Sequence, residues 1–457
     1  MKKTLGIFGL LMAVVFITAA IDPDAFLSSN NIQNLLRRTA LFGIISIGVA
    51  FVIITAGIDL SIGSMVCLIG CGLPFMLMEL KWPLWLALLI VLMLSLGVGV
   101  FHGLLITKLR LQPFVVTLCG LLFYRGITRG FTNDQPMGFK DQFKEIRPLG
   151  TALFPIDQVL DWVALGGGAA LIVGLIGFRR YLSKVMIGVA CAGIGLCLIG
   201  AKVLHLPNPT IEDVTQVKGD TQVLLTLPTG VSQLSYSVLE DGAWRSPSTK
   251  RVVMKDVKDG QYSMKIFNAW EADQIRIESV PRLSIPAPCF ILLFVAIAAA
   301  VFLNSTIYGR YLLALGRNEQ AARFSGINTD RMILLAYIIC ALLSGLGGML
   351  FVLDINNANP SSFGNFFELY AIAAAVLGGC SLRGGEGTIL GVVIGAALMQ
   401  VLRNMINLVD AIPKNIEFAV IGAVILCGVA ADELVKRLAS KRKASKLIQA
   451  GATSRPE

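Results

Sequence analysis

Long apolar runs separated by short polar or charged connections dominate the chain. A bilayer's hydrocarbon core is roughly 30 Å thick and takes about 20 mostly apolar residues as one helix. Runs of this kind fall at residues 5–20, 36–57, 62–80, 84–106, 112–128, 160–178, 185–203, 287–304, 331–353, 366–380, 386–405 and 414–431, which predicts twelve membrane-spanning helices. Met1–Lys3 followed by Leu5–Ala20 has the outline of a signal peptide, but apolar runs follow at once and the segment reads as a retained first helix. Residues 205–285 break the pattern. Thr221–Leu227, Arg251–Lys255 and Gln261–Phe267 read as short strands, with turn signals at Asp241-Gly242 and Asp259-Gly260. A small β-rich module is expected there, with Trp244, Tyr262, Phe267 and Trp270 as its core.

Composition agrees with a membrane protein, since 55% of the 457 residues are hydrophobic and only 15% charged. The net charge of +10 does not imply nucleic acid, because it sits where the positive-inside rule wants it. With the amino terminus inside, Lys108 and Arg110, then Arg179, Arg180 and Lys184, then Arg310, Arg317, Arg323 and Arg331 all fall in inner loops, and a basic tail from Lys436 to Lys446 follows. Both termini are then inner, and residues 205–285 lie outside. The nine cysteines are scattered through apolar stretches without metal-site or disulfide spacing, and read as small buried apolar residues. No phosphate loop, nucleophile triad or metal cluster is present in the sequence, so neither a catalytic residue nor a metal ligand is expected.

Three segments carry physical signals of their own. Gly57 interrupts an apolar run and Asp59 stands where a helix would restart, so its carboxylate is placed either to cap the next half-helix or to meet a solute. The loop Gly309–Asn328 holds a short alanine-bearing helix stopped by Gly326; it is either a helical connector or a segment that seats in a groove of another protein. Gly378–Gly387 lacks a preceding strand and the lysine of a nucleotide loop, and reads as a tight break between spans. Gly387, Gly391 and Gly395 then give a small-residue stripe for close helix packing.

Gln320-Ala321-Ala322-Arg323-Phe324-Ser325-Gly326 resembles the Glu-Ala-Ala-x-x-x-Gly coupling loop of ABC importer permeases, with glutamine replacing the glutamate. The segments Thr55–Gly63, Thr117–Gly126 and Glu368–Thr388 are similar, in the same order, to those of the ribose, xylose and autoinducer-2 type permeases. The resemblance covers residues 1–155 and 286–435 and implies an all-α, polytopic ten-helix core, first half 1–155 and second half 286–435 with a coupling loop at 309–330. It is split by an inserted helix pair (156–204) and a β-rich extracytoplasmic insert (205–285), and followed by a basic cytoplasmic tail (436–457). Two departures stand out: His102 precedes Gly103 where asparagine is usual, and Tyr370 stands where aspartate is common.

The resemblance implies a permease subunit of an ATP-driven importer for a sugar or similar small polar solute, in the bacterial inner membrane. Its partners would be a cytoplasmic ABC ATPase, an extracytoplasmic solute-binding protein, a second permease copy or paralogue, and the lipid bilayer. The chain would bind no cofactor, ATP being used by the ATPase. Gly316, Asn318, Glu319, Gln320, Ala321, Ala322 and Gly326 would form the ATPase coupling loop. Asp59, Ser61, Arg125, Glu368 and Ser381 are candidates for the solute pathway. The competing class is a self-sufficient secondary transporter or channel, which would need a relay of buried ionisable groups; Asp59, Glu368 and His102 are the candidates for one.

Overall fold

The computed structural model describes residues 2–140, 142–156, the strands between 210 and 279, and 284–408, with isolated positions elsewhere. The expected spans at 160–178, 185–203 and 414–431, the basic tail, and the proposed aromatic core of the insert lie outside the described residues or side chains.

The helices are α1 (Lys2–Ile21), α2 (Pro23–Phe26), α3 (Ser29–Ile54), α4 (Ile62–Pro74), α5 (Leu84–Thr107), α6 (Pro113–Thr132), α7 (Pro148–Thr151), α8 (Ala287–Ser305), α9 (Ile307–Arg317), α10 (Glu319–Phe324), α11 (Thr329–Ile355), α12 (Phe367–Leu377) and α13 (Ile389–Leu408). Their starts carry the expected chemistry: Ser28 caps α3, Thr306 caps α9 and Asn328 caps α11 through side-chain oxygens, while Pro113 opens α6. Pro74 ends regular α4, and the chain continues as one wide turn over Phe75–Glu79.

Among the described residues, seven helices are long and apolar enough to cross a membrane. The protein is therefore an all-α polytopic membrane protein with several apolar spans and a small β-module. Helices α3 and α4 are almost wholly enclosed, whereas α5, α6 and α8 keep most of their apolar surface outward, as Trp85, Leu122 and Phe294 do. Such surfaces suit lipid, which satisfies apolar side chains without a protein partner.

One expected span is corrected. Residues 366–380 form only the eleven-residue α12, about 16 Å long at 1.5 Å per residue and half the hydrocarbon thickness. The missing half is irregular chain. Asn356 leaves α11 in a left-handed conformation, and Gly364 and Phe366 also have positive φ, so residues 356–366 fold back among the helices instead of extending one. Their backbone groups are satisfied from neighbours, as buried irregular chain requires. Ala358 exchanges two backbone hydrogen bonds with Met137, and the Asn356 side chain accepts from Phe139 N and donates to Lys140 O.

Residues Leu153–Ile285 form a unit separate from Met1–Ala152 with Pro286–Glu457. The main unit closes on itself where the other leaves it, since Ala287 N donates to Ala152 O at 2.9 Å. The smaller unit begins with β1 (Leu153–Pro155) and contains β2 (Thr210–Val217), β3 (Asp220–Thr226), β4 (Leu234–Glu240), β5 (Ala243–Arg245), β6 (Val252–Lys258), β7 (Gln261–Ile266) and β8 (Ile275–Ser279), with β9 (Ser284–Pro286) at its exit. Among the described residues β1 pairs with β9, and the other strands form two antiparallel sheets ordered β2-β3-β7-β6 and β5-β4-β8. The turn signals at Asp241-Gly242 and Asp259-Gly260 fall between paired strands, as two-residue hairpins would place them.

Candidate functional site

Helix α3 ends at Ile54, and α4 begins at Ile62 after a break in which Gly57, Asp59 and Ser61 are buried while Ala56 is exposed. Ala56 takes a positive φ there. Asp59 Oδ1 accepts from Ser61 N at 2.9 Å and from Ser61 Oγ at 2.7 Å, and both residues are 2% exposed. Asp59 thus holds the turn that opens α4, with its negative charge at the positive end of the helix. The carbonyl of Ile58, freed by the break, accepts from Thr117 Oγ1 and Tyr337 OH, both at 3.3 Å. The break is fixed by α6 and α11.

The same device recurs before α12. Asn359 Oδ1 accepts from Ser361 N at 3.0 Å and Ser361 Oγ at 2.8 Å. This second Asx turn brings the 356–366 chain against the start of α4, where Cys67 and Cys71 donate weakly to Pro360 O and Ala358 O. Arg125 on α6 clamps it, one guanidinium nitrogen donating to Pro360 O at 3.0 Å and Phe363 O at 2.6 Å. Glu368, in the first turn of α12, lies against the backbone of Gly63 in the first turn of α4. A side chain at Gly63 would run into both the Glu368 carboxylate and the Gly364 carbonyl; only glycine lets these backbones meet. Asp59, Ser61, Arg125 and Glu368 therefore gather around two half-helix N-termini.

Of the aromatic side of this centre, sequence reasoning singled out His102 alone and missed the two tyrosines. His102 on α5 is buried with its Nε2 2.9 Å from the Tyr124 hydroxyl, and Tyr337 packs edge-on to the imidazole. Cys340, one turn beyond Tyr337 on α11, is buried as well. Tyr124 lay inside a quoted motif and was the available signal; Tyr337 and Cys340 sit in an apolar run that gives none. Outside this cluster, α5 and α6 splay to form an apolar groove of about 940 Å³ whose floor is His102 and Tyr124. Cys119 is exposed there, a correction to the expectation of buried cysteines, whereas Cys67, Cys71, Cys340 and Cys380 are buried.

Ser381 is not part of the cluster. Its amide donates to Glu386 O and its hydroxyl accepts from Arg383 N, so it shapes the glycine-rich turn. The glycines beyond it pack inside the chain: Gly391 and Gly395 face the carbonyls of Gly378 and Ala374, and Gly387 faces Cys380 and Ile54.

The short helix α10 is presented outward. Asn318 Oδ1 caps it through Ala321 N at 2.9 Å, Glu319 pairs with Arg323 at 3.1 Å, and Gly326 closes it at φ +82°. Arg323 also reaches Thr329 Oγ1 and Asp330, and Lys108 meets Asp330 at 3.6 Å. Asn318, Glu319, Gln320 and Ala321 are exposed while Ala322 packs inward. Phe324, absent from the expected coupling residues, is 92% exposed. Behind this helix Gly316 is buried, and a side chain there would strike Ile54 O and the backbone of Gly385. Gly385 N donates to Ile54 O at 2.8 Å, so the end of α9 that precedes α10, the glycine-rich turn and the end of α3 at the break meet directly.

No group of three or more His, Cys, Asp or Glu able to hold a metal occurs among the described residues. A protein-family model described as branched-chain amino acid transport system / permease component matches residues 31–429. Among curated proteins, the chain is similar to the xylose transport system permease protein XylH of Escherichia coli (strain K12), 29% identical over 437 residues, 95% of this chain and 93% of that protein. It resembles XylH of Haemophilus influenzae at 29% over 436 residues, 95% and 97% of the two chains. The ribose import permease protein RbsC of E. coli (strain K12) is 26% identical over 422 residues, 92% and 91% of the two chains. No solved structure matches.

Proposed function

Since the chain belongs to the branched-chain amino acid transport system permease family, we propose that it is the membrane permease subunit of an ATP-driven ABC importer for a sugar or similar small polar solute. The xylose and ribose permeases it resembles support the solute class. The chain transports and does no chemistry; ATP is consumed by a cytoplasmic ATPase, and an extracytoplasmic binding protein delivers the solute to a pair of permease subunits. The chain crosses a bacterial inner membrane twelve times with both termini cytoplasmic, one crossing being made by irregular chain and the half-length α12, in a core split by an inserted helix pair and an outward β-module. That module adjusts docking of the binding protein or covers the outer mouth, or is a decoration without effect on transport; unchanged uptake on deleting 205–285 would favour the last.

The observation that carries this reading is the exposed, capped α10 with Phe324 at its tip and Gly316 packed on the break behind it. Closure of an ATPase pair would press on α10, and the rigid contacts of Gly316 and Gly385 with Ile54 would move the end of α3 relative to α4. Asp59, Glu368 and Arg125 hold the two half-helices whose separation would open the path. In co-expression the ATPase is expected to purify with this chain in detergent. If no ATPase associates, and Gly326→Val leaves uptake intact, the proposal fails.

A gradient-driven carrier is favoured by one observation, the buried neighbourhood of Asp59, His102 and Tyr124. Uptake that collapses on ATP depletion but survives an uncoupler excludes it; the reverse result excludes the importer.

A further inference from the structure

Helix α8 keeps one side for lipid. Leu293, Phe294, Ile297 and Val301 are exposed, Phe294 at 74%, and they follow one another at the spacing of a single helical face. Thr306 ends that helix in an extended conformation and caps α9, its Oγ1 accepting from Gly309 N at 3.1 Å and donating to Phe302 O at 2.6 Å. The two helices therefore meet at a fixed corner. There the Tyr308 ring lies parallel to that of Phe302, with centroids 6.5 Å apart, so Tyr308 is held beside the last turn of the lipid-facing helix.

Helix α9 has eleven residues, about 16 Å of length, and two unlike sides. Gly309, Leu312, Leu315 and Gly316 are buried, while Ile307, Arg310, Tyr311 and Arg317 are exposed. The exposed residues fall at the helical repeat and form one stripe. Its composition suits neither bulk solvent. Water is unfavourable for the isoleucine and the tyrosine rings, and hydrocarbon is costly for two guanidinium groups. The edge of a bilayer satisfies both: tyrosine rings settle at headgroup level, and arginine stems lie on apolar surface with the charge at the phosphates. The acids of the same loop, Glu319 and Asp330, are engaged elsewhere. Glu319 pairs with Arg323 at 3.1 Å, and Asp330 lies 3.6 Å from both Arg323 and Lys108.

From this continuity of α8 and α9 we infer that the exposed stripe of α9 lies in the interfacial layer of the bilayer and binds the phosphate of an anionic lipid. Ile307, Tyr308 and Tyr311 extend the lipid contact of α8 around the corner. Arg310 and Arg317 supply the positive charge, and a guanidinium fork matches two phosphate oxygens at once. Helix α10 exposes Asn318, Glu319 and Gln320 instead, a polar surface suited to a protein partner. Lipid binding at α9 needs only that α8 crosses a bilayer, so it stands or falls separately from the importer reading.

The test uses the full chain in nanodiscs of mixed phosphatidylcholine and phosphatidylglycerol, with co-retained lipid read by native mass spectrometry. Phosphatidylglycerol is expected to be enriched over phosphatidylcholine. Arg310→Gln lowers that enrichment roughly fivefold, the attraction of one basic residue to an anionic surface, and adding Arg317→Gln lowers it further. Both side chains are exposed, so neither substitution disturbs the fold. Arg129→Gln, whose guanidinium is already paired with Asp134, leaves the enrichment unchanged. The place of binding is read in native membrane vesicles by Tyr308→p-benzoylphenylalanine, where irradiation should add the mass of a phospholipid to the peptide holding that position. Crosslinking to another polypeptide in place of lipid shows a protein contact and overturns the inference. Equal retention of the two lipids by the parent, or enrichment that persists when Arg310→Gln and Arg317→Gln are combined, overturns it as well.

Discussion

Replacing Arg125 with methionine tests whether the buried 356–366 chain is held by one side chain. The guanidinium donates to Pro360 O and Phe363 O, and hydrogen bonds to a charged group contribute roughly 1.5–3 kcal/mol each. Two such bonds would total about 3–6 kcal/mol. Arg125 is only partly buried, and removing it also relieves the cost of desolvating the charge. A net loss of about 2–4 kcal/mol in docking of the loop is the working figure. The rest of the fold is not at stake, because α3, α4 and α11 pack on each other through apolar contacts independent of this residue.

Two cysteines report the opening. Cys67 and Cys71 are fully buried and lie under Pro360 and Ala358, so a maleimide reaches them only when the loop lifts. When opening is fast relative to labelling, the rate follows the open population. A change of 2–4 kcal/mol then raises labelling by roughly 30- to 1,000-fold, at 1.4 kcal/mol per factor of ten. Exposed Cys119 serves as the internal standard, with sites resolved by peptide mass spectrometry. Arg125→Lys should fall between the two, since an ammonium can reach one carbonyl but lacks the planar fork. Labelling of Cys67 and Cys71 within twofold of the parent, in protein that still extracts as a monodisperse species, would refute the clamp.

Asp59→Asn retains an oxygen acceptor for Ser61 and should preserve folding and most transport, whereas Asp59→Ala loses both hydrogen bonds from Ser61, at a cost of about 1–2 kcal/mol; uptake lost equally in both would mean that the charge, not the turn, matters. Phe324→Ser should leave expression unchanged, because the ring is 92% exposed, yet reduce ATPase recovered by co-purification at least severalfold. Asp134, outside the spans, is held below the usual carboxylate range by its hydrogen bonds to Arg129 at 2.7 and 2.8 Å. A depressed folded pKa means that the contribution of this pair is complete above the unfolded value of about 3.9 and is lost as pH falls through the lower folded value. Its carboxyl ¹³C shift should therefore titrate below that of Asp134 in Arg129→Gln, and coincident curves would dismiss the pair.

The membrane helices were readable because apolar runs of sufficient length have few alternatives, and the boundaries of α5, α8 and α11 fall within a few residues of the expected ones. Residues 366–380 misled because hydropathy reports burial, not length of regular helix. Ala371, Ala373, Ala374 and Ala375 are apolar and buried whether α12 crosses the bilayer or half of it. The signal for the shorter form was polar: Asn356, Asn359, Ser361 and Ser362 form an Asx-rich segment next to Pro360, which is turn chemistry at a depth where turns are costly. Asp59 and Ser61 carried the same signal. Their likeness to Asn359 and Ser361 becomes legible only when both oxygen acceptors are seen on the same pair of atoms, the amide and hydroxyl two residues on.

Why a segment proposed to couple to an ATPase should have glycine contacts behind it follows from what a transmitted force requires. Long side chains between two elements absorb displacement by changing rotamer, whereas backbones in contact have no such slack. Gly316 allows its own main chain to touch Ile54 and Gly385, and the Gly385–Ile54 hydrogen bond fixes the contact in direction as well as distance. Displacement of the end of α9 by even an ångström then appears at the end of α3, and the first place it can be absorbed is the break between Ala56 and Ser61. Two polar anchors limit what moves there. Asp59 ties the turn to α4, while Tyr337 and Thr117 tie Ile58 to α11 and α6. The chain gives up regular helix geometry at Ala56, which has a positive φ, while the amides of Thr55, Ala56 and Gly57 stay bonded to the last turn of α3, so a push on that end is carried to the edge of the break at Ile58.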